Sequence, residues 1–386
     1  MSLFRSRERR LRSRERRGPV ILVSTNPSNN QHATIKNPSR SRSMGHPFPI
    51  REIARQAGLS EATVDRVLNG RGGVRESTAR EVHRAIADLD RQRTQVRLVG
   101  RTFMVDIVAQ APERFTTAVR AALEAELPAL HPAVVRSRFH FRETGPVREL
   151  VGTLDRIARR GSQGVILKAP DVPEVTAAVG RLTAAGVPVV TLVTDLPASG
   201  RVAYVGIDNR AAGATAAYLM GQWLGDRPGN VLTSLSSGFF RNEEEREMGF
   251  RSVMRARHPE RTLVEIAEGQ GLDATQYDLV RAALERDPEI RAVYSIGGGN
   301  NATLRAFADL GRECAVFVAH DLDHDNTRLL REHRLSAVLH HDLRHDLREA
   351  CHEVMRFHGA LPPAGPVLPS AIQVVTPYNM PTPPAG

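Results

Sequence analysis

Polar side chains stand directly after several short apolar runs that have the composition of β-strands. Carboxylates accept hydrogen bonds from two hydroxyls, guanidinium and amide groups bridge neighbouring hydroxyls, and an aromatic ring covers an apolar C–H face. Together these groups have the chemistry that binds a carbohydrate. The polar candidates are Gln110, Asp195, Arg246, Asn300, Asp321 and His341, and the candidate ring is Phe115. Two of them have a purely structural alternative, because Phe115 could belong to the core and Asp195 could cap a turn.

A second set of residues has the types that bind a metal ion. His341 and His345 have the i, i+4 spacing that places two ligands on one helix face. Neither a CxxC pair nor an HExxH motif accompanies them. We therefore favour the carbohydrate site, keep a metal-responsive site as the alternative, and expect no metal and no cofactor. The other histidines of this set are His320, His324, His333 and His340.

No catalytic motif is visible in the chain. It has no GxSxG elbow, no GxxxxGK[ST] loop and no GxGxxG after the first predicted strand, so we expect no enzyme. A glycine run at 297–299 precedes a predicted helix, and its backbone amides could receive an anion. A sugar phosphate is therefore an alternative to an uncharged sugar or cyclitol bound through Asn300.

The elements that must position these side chains alternate between strand and helix from about Thr102 onward. This alternation predicts an α/β fold of doubly wound parallel sheets, and its length predicts two lobes within 102–378. We expect one lobe over 102–205 and 341–358 and the other over 206–340 and 359–378. Ligands bind beyond the carboxyl ends of parallel strands, where the polar candidates fall. The predicted strands are 103–109, 134–141, 164–168, 187–193, 202–207, 230–236, 292–296, 315–319 and 336–340.

An all-helical unit is predicted ahead of the lobes, over 46–90. Apolar residues recur at helical spacing from Ile50, and Gly58 is a suitable helix stop. Ser60 is a good N-cap for a second helix, and a third helix is predicted over 77–90. Two short helices joined through a glycine turn are typical of a helix-turn-helix.

The net charge of +10 is concentrated at one end of the 386 residues. Residues 1–45 hold ten Arg and one Lys against two Glu, a formal charge of +9. This segment is predicted to be a disordered basic tail. It is either an arm that adds salt-sensitive affinity for nucleic acid or sequence upstream of a true start at Met44, and we favour the second. Two cysteines, no apolar run of membrane length and no signal peptide predict a cytoplasmic protein without a membrane partner.

The helical unit, IREIARQAGLSEATVDRVLNGRGGV, resembles the headpiece of the lactose-repressor family of bacterial regulators. The segments VPVVTL, YVGIDNRAAGATAAYL, EREMGF and VAHDLD are similar to the same family's periplasmic-binding-protein-like effector domain. The resemblance implies a homodimeric transcription repressor that binds double-stranded operator DNA under the control of a small carbohydrate effector. The effector either releases the repressor from DNA, which is the commoner behaviour in the family, or promotes its binding. A sugar-binding transport receptor would share the lobes but not the headpiece, and it would need a signal peptide.

The resemblance also assigns roles within the second helix, which enters the major groove in this family. It implies that Arg66 contacts guanine, that Glu61 accepts from a cytosine amino group and that Ala62 touches a thymine methyl. Glu61 could equally have no contact with a base and only stabilise the helix through the positive end of its dipole, because it is an acid in the first turn. Asp65 would face phosphate and is expected to turn aside or pair with an arginine. The implied phosphate contacts are Ser60, Thr63, Asn69 and Arg71.

Within the lobes, the resemblance implies that Arg246 grips the sugar and that Asp321 binds its hydroxyls. His341 stands where the family often has Gln. After the predicted strand at 292–296 the family often has an Asn-Asp pair whose acid binds hydroxyls, but this chain has GGGNN at 297–301 and lacks that carboxylate. The chain also departs from the family over 91–101, a predicted linker that lacks the usual Pro-Asn pair and terminal Leu. Its arginines either enter a narrow minor groove or are simply solvated.

Overall fold

A computed structural model of the chain describes residues 46–267 and 269–381. The predicted basic tail over 1–45 lies outside these ranges. The described chain begins with three helices, α1 (Ile50–Ala57), α2 (Glu61–Leu68) and α3 (Glu76–Leu98). They enclose a small core in which Ile53, Val64 and Val82 are fully buried. Gly58 ends α1 in the left-handed conformation, with φ of 68°, as the helix-turn-helix prediction requires.

The third helix is longer than the sequence predicted. We expected it to end near residue 90 and a linker to follow over 91–101, and this expectation is wrong because α3 continues to Leu98. Residues 91–98 contain neither glycine nor proline, and Arg93 pairs with Asp90 one turn earlier at 2.8 Å. The helix therefore has no local reason to stop before Gly100, whose φ is 74°.

The first lobe is a five-stranded parallel sheet in the order β2-β1-β3-β4-β5. Apolar residues on both faces of this sheet form two core clusters, as expected for a sheet covered by helices. Its strands are β1 (Thr102–Gln110), β2 (Val134–Arg142), β3 (Gly164–Lys168), β4 (Val189–Leu192) and β5 (Ala203–Val205). The helices between them are α4 (Glu113–Glu126), α5 (Val147–Arg160) and α6 (Pro173–Ala184).

The second lobe is a six-stranded sheet in the order β11-β10-β9-β8-β6-β7. All its neighbouring strands are parallel except the β10–β11 pair. Its strands are β6 (Asn230–Ser234), β7 (Leu263–Ile266), β8 (Ile290–Ser295), β9 (Val316–His320), β10 (Ala337–His340) and β11 (Gln373–Val375). Its helices are α7 (Asn209–Leu224), α8 (Arg241–Arg257), α9 (Asp273–Arg286), α10 (Asn300–Asp309) and α11 (His324–Arg331).

The chain crosses between the lobes three times. It passes from β5 to α7, returns from β10 to α12 (Leu343–Phe357), and passes again to β11 at the far edge of the second sheet. Helix α12 packs against α4, β4 and β5 of the first lobe. This interleaving brings the carboxyl ends of both sheets to the same region between the lobes.

Two glycines let α7 and α8 pack at very short distance. A Cβ on Gly249 would stand 2.0 Å from the backbone oxygen of Arg210, and one on Gly213 would stand 1.8 Å from that of Arg246. Only glycine fits at these two positions. The close packing fixes Arg246 relative to the start of α7.

Candidate functional site

The second helix presents its N-terminal face to solvent. Ser60 accepts a hydrogen bond from the backbone N–H of Thr63 at 3.2 Å, which caps the helix, and its Oγ lies 2.8 Å from Thr63 Oγ1. Glu61, Ala62 and Arg66 are exposed beside these two residues. The predicted base-reading residues of α2 are therefore accessible from solvent, close in sequence to Ser60 and Thr63.

Asp65 accepts hydrogen bonds from two neighbours. Arg71 Nη1 donates to Asp65 Oδ2 at 2.8 Å, and Asn69 Nδ2 donates to Asp65 Oδ1 at 2.7 Å. The carboxylate is thereby partly neutralised. Two predicted phosphate contacts, Asn69 and Arg71, are engaged with Asp65 in this structure.

A cavity of about 590 Å³ lies between the lobes at the carboxyl ends of the strands. The first lobe supplies the residues after β1, β2 and β3, and the second supplies those after β6, β8 and β9. This is the location that the open-sheet rule predicts for a ligand. Four of the seven predicted ligand residues line it, namely Gln110, Phe115, Arg246 and Asp321.

Arg246 stands on α8 and is almost fully buried, at 1% exposure. Its Nε donates to Asn209 Oδ1 at 2.9 Å, whereas its Nη2 has no hydrogen-bond partner among the described residues. Three other residues that line the cavity also have a buried atom without a partner among the described residues: Gln110 Oε1, Asn242 Oδ1 and His320 Nδ1. Buried polar atoms normally have partners, so four of them beside one cavity favour a polar occupant, either a ligand or ordered water.

Asp321 follows β9 with φ of 63°, in the left-handed region that few residues other than glycine adopt. Its Oδ1 lies 3.5 Å from Nε2 of His341, which is buried and also bonds Asp346 through Nδ1. Burial lowers the pKa of His341, but the two aspartates outweigh it and raise the pKa to about 9. Burial likewise acts to raise the pKa of Asp321, yet His341 and Arg246 hold it well below its usual range. The pair is therefore charged at neutral pH.

The cavity has an aromatic wall. Phe115 packs in the first-lobe core and also lines the cavity. Lys168, the last residue of β3, places its Nζ 4.2 Å from the centroid of Phe240 and 5.3 Å from that of Phe115. Burial lowers the pKa of Lys168 to about 8, although Glu243 and Asp321 oppose the shift.

Three of the predicted ligand residues do not line this cavity. Asp195 bonds Arg201 Nη2 at 2.7 Å and Thr191 Oγ1 at 2.8 Å, because the loop after β4 folds back on itself. Asn300 lines a separate cavity of about 170 Å³, since its position at the start of α10 turns it toward Asn326. His341 lies behind Asp321 as its partner.

Sequence reasoning missed an arginine that joins the lobes. Arg114 on α4 donates to the carbonyl oxygen of Gly271 at 2.9 Å and lies 3.1 Å from Asp323 Oδ2. Its guanidinium also covers Gly298, where a Cβ would meet Nη2 at 2.0 Å. The glycine run proposed for an anion is therefore overlaid by Arg114. Lys168 also escaped notice, although it is the last residue of β3 and so stands at a strand end, the signal that identified the other candidates.

The geometry does not assemble the histidines into a metal site. Within residues 46–267 and 269–381, no group of three His, Cys, Asp or Glu side chains could hold a metal ion. A search of the same residues finds no helix long and apolar enough to cross a membrane.

Two family models match the chain, in separate regions. Residues 49–92 match the model of bacterial regulatory proteins of the lacI family, and residues 106–352 match the model of the periplasmic binding protein domain. The two matches cover α1–α3 and most of the two lobes. No curated protein sequence matches the chain.

Solved structures share the fold of the lobes at low sequence identity. A glucose–galactose binding protein from Geobacillus stearothermophilus matches with a TM-score of 0.65 at 19% identity, over 73% of this chain and 99% of that one. A solute-binding protein of Burkholderia graminis in complex with D-arabinose matches at 0.64 and 20%, over 73% and 97%. A candidate LacI transcriptional regulator from Bacteroides fragilis matches at 0.63 and 14%, over 72% and 98%.

Proposed function

This chain belongs to the lacI family of bacterial regulatory proteins, and we propose that it represses transcription under the control of a carbohydrate bound between its lobes. The headpiece binds operator DNA, and the lobes sense the effector. The protein acts in the cytoplasm and is not an enzyme. A transport receptor, the alternative for the lobes, does not account for α1–α3.

The convergence of unpartnered polar atoms and aromatic rings in one cavity carries the effector assignment. Gln110, Asn242, Arg246 and His320 line this cavity, and each has a buried polar atom without a hydrogen-bond partner among the described residues. Phe115 and Phe240 supply flat apolar surface for C–H faces, and Asp321 accepts from hydroxyls. Two structural neighbours, the glucose–galactose binding protein and the solute-binding protein in complex with D-arabinose, bind sugars, which supports the same class of ligand.

The exposed face of α2 supports sequence-specific DNA binding. Arg66 contacts guanine through its two terminal nitrogens, and Ser60 and Thr63 contact phosphate. Two headpieces are needed for two half-sites about one or more helical turns apart, so the active form is a homodimer. Effector binding changes the lobe arrangement and thereby the headpiece spacing, with a coupling of roughly 1–3 kcal/mol.

Selection of bound fragments from genomic DNA, followed by fluorescence anisotropy on the enriched sequence, tests the DNA assignment. Arg66→Ala is expected to lose preference at one base pair of each half-site, at about 1–3 kcal/mol. Arg281→Ala, an exposed arginine of α9, is the matched control and should retain the full preference. Unaltered preference in Arg66→Ala would show that the register assigned to α2 is wrong.

Adding sugars, cyclitols and sugar acids to the same anisotropy measurement tests the effector assignment. At least one compound should shift the DNA-binding curve in the wild type, and Arg246→Met should remove that shift while DNA binding remains. DNA binding that no carbohydrate alters would contradict the effector assignment.

A further inference from the structure

We propose that the effector is an acidic sugar, an aldonate or uronate whose carboxylate lies between Lys168 of the first lobe and Arg246 of the second. This inference rests on the proposed function and specifies the class of its ligand. It follows from the observation that two cationic side chains of the cavity have no ion-pair partner among the described residues. The sequence did not suggest it, since Lys168 was not among the predicted ligand residues.

Lys168 presents its ammonium to the cavity without a hydrogen-bonded counter-ion, although Glu243 and Asp321 lie near enough to raise its pKa. The residue is 9% exposed, and its Nζ makes no hydrogen bond or ion pair with any residue that the structure describes. Its Nζ lies over the rings of Phe240 and Phe115. These rings attract the ammonium through their faces but leave its hydrogen-bond donors unused.

Arg246, which stands on α8 of the second lobe, also lacks an ion-pair partner among the described residues. Its Nε bonds a neutral amide, that of Asn209, and its Nη2 is buried without a partner among the described residues. No carboxylate of those residues lies within 4.0 Å of the guanidinium, the limit for an ion pair. Arg246 lies near enough to lower the pKa of Lys168, an effect smaller than the opposing effects of Glu243 and Asp321.

The acids that line the cavity, in contrast, are already engaged. Their partners leave few acceptors for the two cations, so an incoming anion would supply what both lack. The engaged pairs are Asp321 with His341, Asp323 with Arg114, Glu243 with the N–H and Oγ of Ser236, and Glu143 with the N–H of Glu113.

A carboxylate fits this arrangement better than a phosphate. One donor from each lobe suits a single negative charge. Asp321 and Glu243 repel any anion, and they repel a dianion about twice as strongly as a carboxylate. The glycine run that could receive a phosphate is overlaid by Arg114. The hydroxyls of a sugar acid have Gln110 and Asn242 as partners.

The composition of the chain sets Lys168 apart. Lys36 and Lys168 are the only lysines among 53 basic residues, and all the others are arginine. An ammonium is a compact charge that fits between two rings, where the planar guanidinium fork would need more space. The space between the two rings therefore favours lysine over arginine at position 168.

Isothermal titration of the full-length protein at pH 7 tests the inference with matched pairs of ligands. The panel is D-glucose with D-gluconate and D-glucuronate, D-galactose with D-galactonate and D-galacturonate, L-arabinose with L-arabinonate, and D-glucose 6-phosphate. At least one acid should bind about tenfold or more tightly than its parent sugar. Lys168→Met should abolish that preference with little effect on the parent sugar, and Lys168→Arg should retain part of it.

A second measurement uses the wild type alone. Because the chain has only two lysines, labelling with an amine reagent and mass spectrometry of the peptides reports on Lys168 individually. The acid that binds should protect Lys168 at least severalfold and leave Lys36 unprotected. Labelling of Lys168 that the bound acid does not slow would overturn its role.

The outcomes separate the two proposals. Binding of neutral sugars alone, or of the phosphate alone, would overturn the acidic-sugar inference and leave carbohydrate control intact. Equal loss of acid and parent sugar in Lys168→Met would also overturn it. No binding by any member of the panel would count against both.

Discussion

Lys168→Met is expected to stabilise the protein in the absence of ligand. Burial lowers the pKa of Lys168 from 10.5 to about 8, which corresponds to about 3 kcal/mol by which the fold disfavours the protonated amine. Methionine has a similar length and keeps the contacts with Phe115 and Phe240, but it forgoes a cation–π attraction of about 1 kcal/mol. The net gain at pH 7 is therefore about 2 kcal/mol, or roughly 4 °C in Tm for the two-lobed domain.

The sign of the pH dependence follows from the lowered pKa. Both folded and unfolded chains hold the proton below pH 8, so the cost is fully present there and disappears as the pH rises toward 10.5. Urea unfolding at pH 7 and at pH 10 should therefore show a gain that shrinks at the higher pH. Lys168→Arg, which stays charged at both values, is the control and should show no such gain. A methionine variant less stable than the wild type at both pH values would refute the reasoning.

Three further changes test other parts of the structure. Gly249→Ala should destabilise the second lobe by about 1–3 kcal/mol in urea unfolding, because its Cβ would overlap a backbone oxygen of α7, and unchanged stability would contradict that packing. Asp65→Ser should release Arg71 for phosphate, tighten DNA binding and steepen the slope of log affinity against log salt by about 1, whereas weaker binding would contradict the pairing. Arg114→Ala should increase the radius of gyration of the ligand-free protein in small-angle scattering, and an identical profile would show that the arginine does not hold the lobes together.

The sequence predicted the helix-turn-helix and the two-lobed parallel fold because both leave strong local signals. Gly58 and Ser60 fix the turn, and the buried strands are continuous apolar runs. Strands β7 and β11 were not among the predicted strands. They have four and three residues and form the two edges of the second sheet, where neither a long nor a continuous apolar run is required.

The site was predicted in part, and the errors share one cause. The strand-end rule places a residue near the cleft but does not say where its side chain points. Asp195 turned to Arg201 and Asn300 to Asn326, because a nearer partner was available to each. Arg114 was missed because its role depends on the second lobe, which is 157 residues away in sequence at Gly271. Such contacts follow from the tertiary fold, and no local pattern encodes them.

Because α3 continues through Leu98, the headpiece and the lobes are connected by a helix and not by an extended linker. At 1.5 Å per residue its 23 residues extend about 34 Å. Only Val99, Gly100 and Arg101 separate its end from β1, so any pivot is confined to that short joint. A tilt of about 10° at the joint would move the far end by roughly 6 Å, half the width of a ~12 Å major groove. A stiff arm of this length converts a small rotation of the lobes into a displacement large enough to lose register with DNA.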